Sequence, residues 1–307
     1  MLGLSKTRET ILRFHVNPTT KQPTLVSPFA RFLQRHGAAN RWFRSTDVAY
    51  MATKMLAKQQ EPAALAQTLL PKKLRWKHTF RNYPGRFPDQ EHPSRASIRD
   101  LLQDLKEGWQ AVLRATIVRE VGALEIFLRE WAIEALSAAT APGTPLRSTI
   151  RRELEDSLHE LLSDPFRTVS LSRIGGFFPG VRGVLNVSTH VRSQHPMLTA
   201  GSSDLTCQTV TEMWRDVRNL ILHHDGVVHP RFATQHSAVW LALAKDAHER
   251  GRTLAMRRCS TGQPLPLVTR HAVFCFTSCH QTAALLDQAM GRRTATGGHP
   301  TAPATEA

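Results

Sequence analysis

No apolar run in the chain approaches the roughly 18 residues that a membrane span requires. The opening residues, MLGLSKTRET, hold no apolar stretch long enough for a secretory leader. Both absences point to a cytosolic protein with no membrane partner. Cysteine is scarce: there are four, at 207, 259, 275 and 279, and no CxxC pair among them. That argues against a zinc ribbon. Cys275 and Cys279 stand four apart beside His280. Such spacing admits a metal site, but two buried thiols on an apolar helix fit it better. There is no glycine-rich loop of phosphate-binding spacing and no internal repeat.

Acidic residues are also few, 25 against 40 Lys and Arg, which leaves a net charge of +15. The excess is uneven. Residues 1–97 hold 17 Lys and Arg and 5 Asp and Glu, whereas residues 98–307 hold 23 and 20. A basic arm of this kind attracts polyanions by counterion release, with nucleic acid the natural partner. Within it Trp42, Phe43, Trp76, Phe80 and Tyr83 lie among Arg41, Arg44, Lys72, Lys73, Arg75, Lys77 and Arg81. Stacking rings beside cations suit single-stranded nucleic acid, and equally a small satellite core with a solvated rim. A basic solubilising extension, or a true start at Met51 or Met55, is the plainer alternative for this arm.

What remains is 41% hydrophobic over 307 residues, enough to bury a sizeable core. Prolines punctuate residues 1–96, where only short helices are expected, near Pro28–His36 and Asp47–Leu70. From Ser97 a 3.6-residue period sets in. It predicts a helix to about Leu113 and another over Ile117–Leu136, with no breaker between them and with Val121, Leu124, Leu128, Ala132 and Ala135 on one stripe. ATAPGTP at 139–145 ends that run. A third helix is predicted over Thr149–Leu162. The Gly175-Gly176 and Pro179-Gly180 pairs predict a loop, and Ser193–Ser203 another. Further helices are expected from Asp204 to Gly226, from Pro230 to Arg250, and from Arg270 to Met290 after a Thr269 cap. Residues 252–268 read as a short hairpin. The expected architecture is all-α: a helical bundle at 98–291, a basic, partly irregular N-terminal extension at 1–97, and a disordered tail at 292–307.

One segment carries chemistry: Arg218-Asn219-Leu220-Ile221-Leu222-His223-His224-Asp225-Gly226. At 100° per residue, Met213, Trp214, Val217, Leu220 and Ile221 share an apolar arc. Glu212, Arg215, Asp216, Arg218, Asn219 and His223 take the opposite arc. Arg215, Asn219 and His223, four apart, stack along one stripe. Leu222 interrupts the polar face, as a helix–helix dimer contact would. An Arg followed by His after four to six residues means little by itself. The chain repeats it at Arg8/His15, Arg31/His36, Arg86/His92, Arg152/His159, Arg231/His236 and Arg293/His299. Asn directly after Arg, on an amphipathic helix ending in glycine, is the selective part.

RNLILHHDGVV resembles the motif helix of the HEPN superfamily of small helical domains, many of them RNases. Arg218, Asn219, His223, Asp225, Gly226, Val227 and Val228 match its pattern. ALEIFLREW at 123–131 resembles the acidic-aromatic helix that precedes the motif, and Leu265–Val268 leads into a last helix as in such domains. His224 departs from the pattern, standing where many members have Asn or another polar residue. The resemblance covers about residues 98–290. It implies a metal-independent endoribonuclease that needs no cofactor and acts as a homodimer through facing motif helices. A toxin or antiviral defence role, with a cognate antitoxin, belongs to the same expectation.

The expected chemistry is attack of an RNA 2′-hydroxyl on the adjacent phosphate. Imidazole, with an ordinary pKa of about 6.5, exchanges that proton near neutrality. Arg218 would pair with phosphate oxygens. Asn219 would orient the imidazole or hydrogen-bond the phosphate. Arg218, Asn219 and His223 are thus the catalytic candidates, with His224, Arg215 and Glu125 in support. The plainer readings are a His223 that favours the helix dipole, an Arg218 paired with Glu212 or Asp216, a surface Glu125 and a loop His229. Two other classes stay open: an RNA- or nucleotide-binding module on the same fold, and a helical interaction subunit. A DNase fits less well, because the motif has no metal-binding carboxylates and DNA lacks the 2′-hydroxyl.

Overall fold

The two periodic stretches expected at 98–113 and 117–136 form one helix. Arg114, Ala115 and Thr116 between them contain no breaker, and the Thr116 hydroxyl bonds back to the Val112 carbonyl at 2.7 Å. The computed structural model describes residues 27–59, 98–186, 206–249 and 259–295. Among them are eight helices: α1 (Pro28–Gln59), α2 (Ile98–Thr140), α3 (Ser148–Ser163), α4 (Leu171–Phe177), α5 (Pro179–Asn186), α6 (Cys207–His223), α7 (Pro230–Glu249) and α8 (Thr269–Ala295). No strand is present among the described residues, so the all-α expectation holds for them. None of these helices is long and apolar enough to cross a membrane.

The 43 residues of α2 make it the spine, about 64 Å long. Its expected stripe is buried, and Glu120, Ala123, Phe127, Trp131 and Leu136 are buried as well. Burial on more than one face requires cover from several sides, and α1, α3, α6 and α8 supply it. Polar side chains lock these contacts. Trp131 donates its indole N–H to the Leu286 carbonyl of α8 at 3.0 Å. Arg129 donates to the Leu161 carbonyl near the end of α3 at 2.8 Å. The ATAPGTP break falls as expected: α2 ends at Thr140 and Gly143 takes a φ of +87°.

Two sequence expectations need correction. Gly175-Gly176 and Pro179-Gly180 do not form a loop; they lie in α4 and α5. Ser170 caps α4 by accepting from the Arg173 N–H at 3.2 Å, and Pro179 opens α5. A Cβ on Gly175 would stand 3.4 Å from the Arg182 Cβ, an ordinary van der Waals contact. The second correction concerns α1, one helix of 32 residues where two short ones were expected. Ser27 caps it through the Ala30 N–H at 3.1 Å, and Pro28 follows at the first helical position. Phe32, Ala39 and Phe43 enter the core shared with α2 and α8. Trp42 is 39% exposed. Lys72 to Tyr83, the Ser193–Ser203 loop and the tail beyond 295 lie outside the described residues, and the last described helix runs five residues past Met290.

The contact between α1 and α2 centres on a buried pair. His36 Nδ1 lies 2.6 Å from Glu120 Oε1, and neither side chain is more than 6% exposed. The other carboxyl oxygen has no hydrogen-bond partner. Burial pushes the Glu120 carboxyl up, against the pull of His36 and Arg119. Glu120 is thus harder to ionise than an exposed carboxyl. The arginines of α1 add a second tie outside this pair, Arg31 and Arg35 both reaching Glu130 at 3.0 and 3.2 Å.

Two stability predictions follow from these buried groups. Glu120→Ala strands His36 and leaves a void, and should lose about 3 kcal/mol in chemical denaturation. Glu120→Gln keeps an acceptor for His36 and should lose under about 1 kcal/mol at pH 7. Equal losses from both would show that the hydrogen bond to His36 contributes nothing to stability. The second concerns His271, which accepts the Val268 N–H at 3.0 Å at the start of α8 and stacks on Trp240. Burial pulls its pKa down to about 4, from an ordinary 6.5. The unfolded chain therefore takes up a proton first, and stability present above pH 6.5 is lost as pH falls towards 4. His271→Gln, which retains the capping acceptor, should flatten the melting temperature over that window.

Candidate functional site

The motif helix begins and ends on local signals. Thr206 caps α6 by accepting the Thr209 N–H at 3.0 Å, and the Thr209 hydroxyl accepts the Thr206 N–H in return. Cys207, Val210, Met213, Trp214, Val217 and Leu220 are buried, so the expected apolar arc faces the core. The helix stops at His223, three residues before the expected glycine. Asp225 and Gly226 both take left-handed backbone, at φ +49° and +74°. The Leu220 carbonyl accepts from both His224 and Gly226, at 3.0 and 2.9 Å.

The turn after α6 is held on two sides. Arg114 of α2 bonds Asp225 at 3.0 Å and covers Gly226, where a Cβ would stand 3.2 Å from the guanidinium. Residues 252–258 of the expected hairpin lie outside the described residues; within residues 259–268 the Gln263 N–H donates to the Ser260 carbonyl at 3.1 Å. The same segment pairs with this turn, through Val228 to Gln263, Gly262 to Val228 and Leu265 to Gly226, at 2.8 to 2.9 Å. Hydrogen bonding thus fixes the backbone around His224 although both motif histidines are exposed.

The polar arc of α6 divides between two faces. On the α2 side, Arg218 Nη1 lies 3.5 Å from Glu125 and 3.4 Å from Asn219 Oδ1. Its expected ion-pair partners, Glu212 and Asp216, are not the ones it meets. Burial raises the Glu125 carboxyl, with Arg218 and then Arg215 pulling the other way. Glu125 is therefore a half-buried member of the motif face and not a surface acid.

The other face opens onto a cleft of about 570 Å³ between α6 and α7. Arg215, Asn219 and His224 line it from the α6 side, with His229, Arg231 and His236 from the α7 side. Arg218 and His223 are not among its lining residues. The expected stripe of Arg215, Asn219 and His223 thus continues into His224 in place of His223. The reason is local: His224 has left the helix, at φ −131° and ψ 20°, so helical angles no longer place its side chain.

Three contributors were missed from sequence. His236 Nε2 lies 2.8 Å from Asp216 Oδ2. Burial pushes the Asp216 carboxyl up, but the His236 hydrogen bond and the His236, Arg215 and Arg231 charges outweigh it and hold the carboxyl below its usual range. Arg231 and His236 were visible only as a spacing that recurs throughout the chain. His229 precedes Pro230, and that position marks it as the residue before the first turn of α7. The four cysteines are all buried, and Cys275 and Cys279 have their thiols pushed up, Cys275 chiefly by desolvation and Cys279 chiefly by their mutual hydrogen bond. Neither pattern suits a reactive thiol.

Gly226→Ala forces an L side chain into left-handed backbone and against Arg114. It should lower stability by about 1–2 kcal/mol. It should also weaken any ligand of the cleft more than that loss explains, because His224 hangs on the same turn. A variant of wild-type stability and binding would remove the turn from the site.

No family model, curated protein or solved structure matches the chain.

Proposed function

We infer that the protein is a metal-independent endoribonuclease on a HEPN-like helical fold, with its phosphate site in the cleft between α6 and α7 and not at the Arg218 and His223 side chains that carry the resemblance. The observation that carries this reading is the meeting of Arg215, Asn219, His224, His229 and Arg231 at one open cleft. Guanidinium groups hold phosphate oxygens and stabilise added charge. An imidazole exchanges protons near neutral pH. The 2′ oxygen attacks phosphorus as His224 takes its proton, and the bond from phosphorus to the 5′ oxygen breaks. The products are a 2′,3′-cyclic phosphate and a 5′-hydroxyl. Net, one proton passes from the 2′ oxygen to the 5′ oxygen by way of His224 and solvent water.

Two features extend the reading. Trp42, exposed beside Arg41 on α1, offers a ring and a charge to an RNA strand. Leu222, 47% exposed on α6, supplies the contact for a homodimer. A toxin or defence role would show as growth arrest on expression.

The test incubates wild type, His224→Ala and His223→Ala with total RNA in EDTA. His224→Ala should lose at least about 100-fold in rate, with cyclic-phosphate ends from wild type only. His223→Ala should keep most of its rate. The reverse pattern would place the reaction on the Arg218 face. RNA binding without cleavage by wild type would make the protein a binding module.

A further inference from the structure

His229 occupies the position before the first turn of α7, where Asn, Asp, Ser or Thr usually accept a backbone N–H. Here the imidazole does so: Nδ1 accepts the Arg231 N–H at 3.3 Å, while the His229 carbonyl accepts from Ala233 at 3.1 Å. An acceptor nitrogen carries no proton. The ring in this pose therefore bears its proton on Nε2 and can only donate from that atom. A Ser or Asp cap would leave no such donor. The cap thus fixes both the pose and the tautomer of a ring that lines the cleft.

The neighbours point to what this donor meets. The His224 and His229 rings lie 5.7 Å apart, centroid to centroid, inclined at 36°. Arg231 is steadied by its own bond to Gln235 at 3.3 Å. Arg215 lines the same cleft. The rings are too close for a phosphate to lie between their faces, so an anion meets their edges. There it would find one N–H and two guanidinium groups, and His224 beside them.

We propose that His229 is a fixed hydrogen-bond donor to a phosphodiester oxygen in this cleft, and that proton exchange is left to His224. The assignment rests on reading the cleft as an RNA phosphate site. Asn at position 229 would imitate both halves of the role, its carbonyl capping α7 and its amide N–H facing the ligand. Ser would cap without reaching the ligand. Ala would do neither.

The experiment measures binding of a 2′-O-methyl RNA oligonucleotide, which cannot be cleaved, alongside the pH profile of cleavage of ordinary RNA. His229→Ser and His229→Ala should each weaken binding by about 10-fold, with His229→Ser melting as wild type does. His229→Asn should recover most of that loss in binding and in rate, and every active variant should keep the wild-type profile shape. Should His229 carry a proton instead, His229→Asn would be as inactive as His229→Ala, one limb of the profile would vanish, and binding would not change. Wild type that binds but does not cleave would overturn the RNase reading alone, with the donor still judged by the binding series. Equal binding by wild type and His229→Ser would overturn the donor.

Discussion

A helix of 43 residues with a carboxyl buried at its middle cannot stand alone, and this constraint organises the molecule. Glu120 lies on α2 among Ile117, Val121 and Leu124, where charge is penalised. Something must cover it and bond to it. His36 does both, with Phe32 and Phe43 sealing the surroundings. The helix that brings His36 comes from the most basic part of the chain. That part is therefore at once a core element, through its apolar face, and a polycation, through its arginines. A chain beginning at Met51 would lack Phe32, His36, Ala39 and Phe43, and would leave Glu120 without its partner.

The same spine holds the motif turn in place. Arg114 reaches the turn after α6, Glu125 reaches Arg218, and Gln110 donates to the Leu267 carbonyl at 3.1 Å in the segment that pairs with the turn. These three α2 residues span the end of α6, so the turn carrying His224 is fixed from the core side. The side facing α7 is left open. Rigid support behind the cleft and an open face before it suit the proposed phosphate site.

Periodicity made α2, α3, α6, α7 and α8 legible, because each shows its apolar residues to one dominant core. It failed on α1, whose prolines cluster at its ends: Pro28 starts the helix, and Pro62 lies beyond it. The glycine pairs of α4 and α5 misled for a related reason. Glycine marks a turn by its freedom, but Gly175 and Gly176 take ordinary helical backbone within α4. At the site, helical angles correctly assigned the buried arc and failed one residue past the last turn. His224 could not be placed by counting, since its direction depends on Asp225, Gly226 and a partner segment some forty residues later. Nor could sequence show that Arg218 meets Glu125, a contact set by the antiparallel packing of α6 on α2.

The two faces of α6 differ in how available their arginines are. On the motif face, Glu125 is only 14% exposed and sits against Arg218. A phosphate approaching there must displace a carboxylate that has little water to return to, so the arginine is held by its partner. The cleft holds two acids: Glu212, which accepts from Gln208 at 3.3 Å, and Asp216, which is already paired. Its 2.8 Å bond goes to His236, while Arg215 stands at 3.9 Å, the limit of an ion pair. The pull of His236, Arg215 and Arg231 keeps that carboxyl ionised, yet its short contact is with the imidazole. His236 thus takes up the acid that would otherwise hold Arg215. Replacing His236 with an apolar residue would return Asp216 to Arg215 and close the cleft to anions without touching the motif itself.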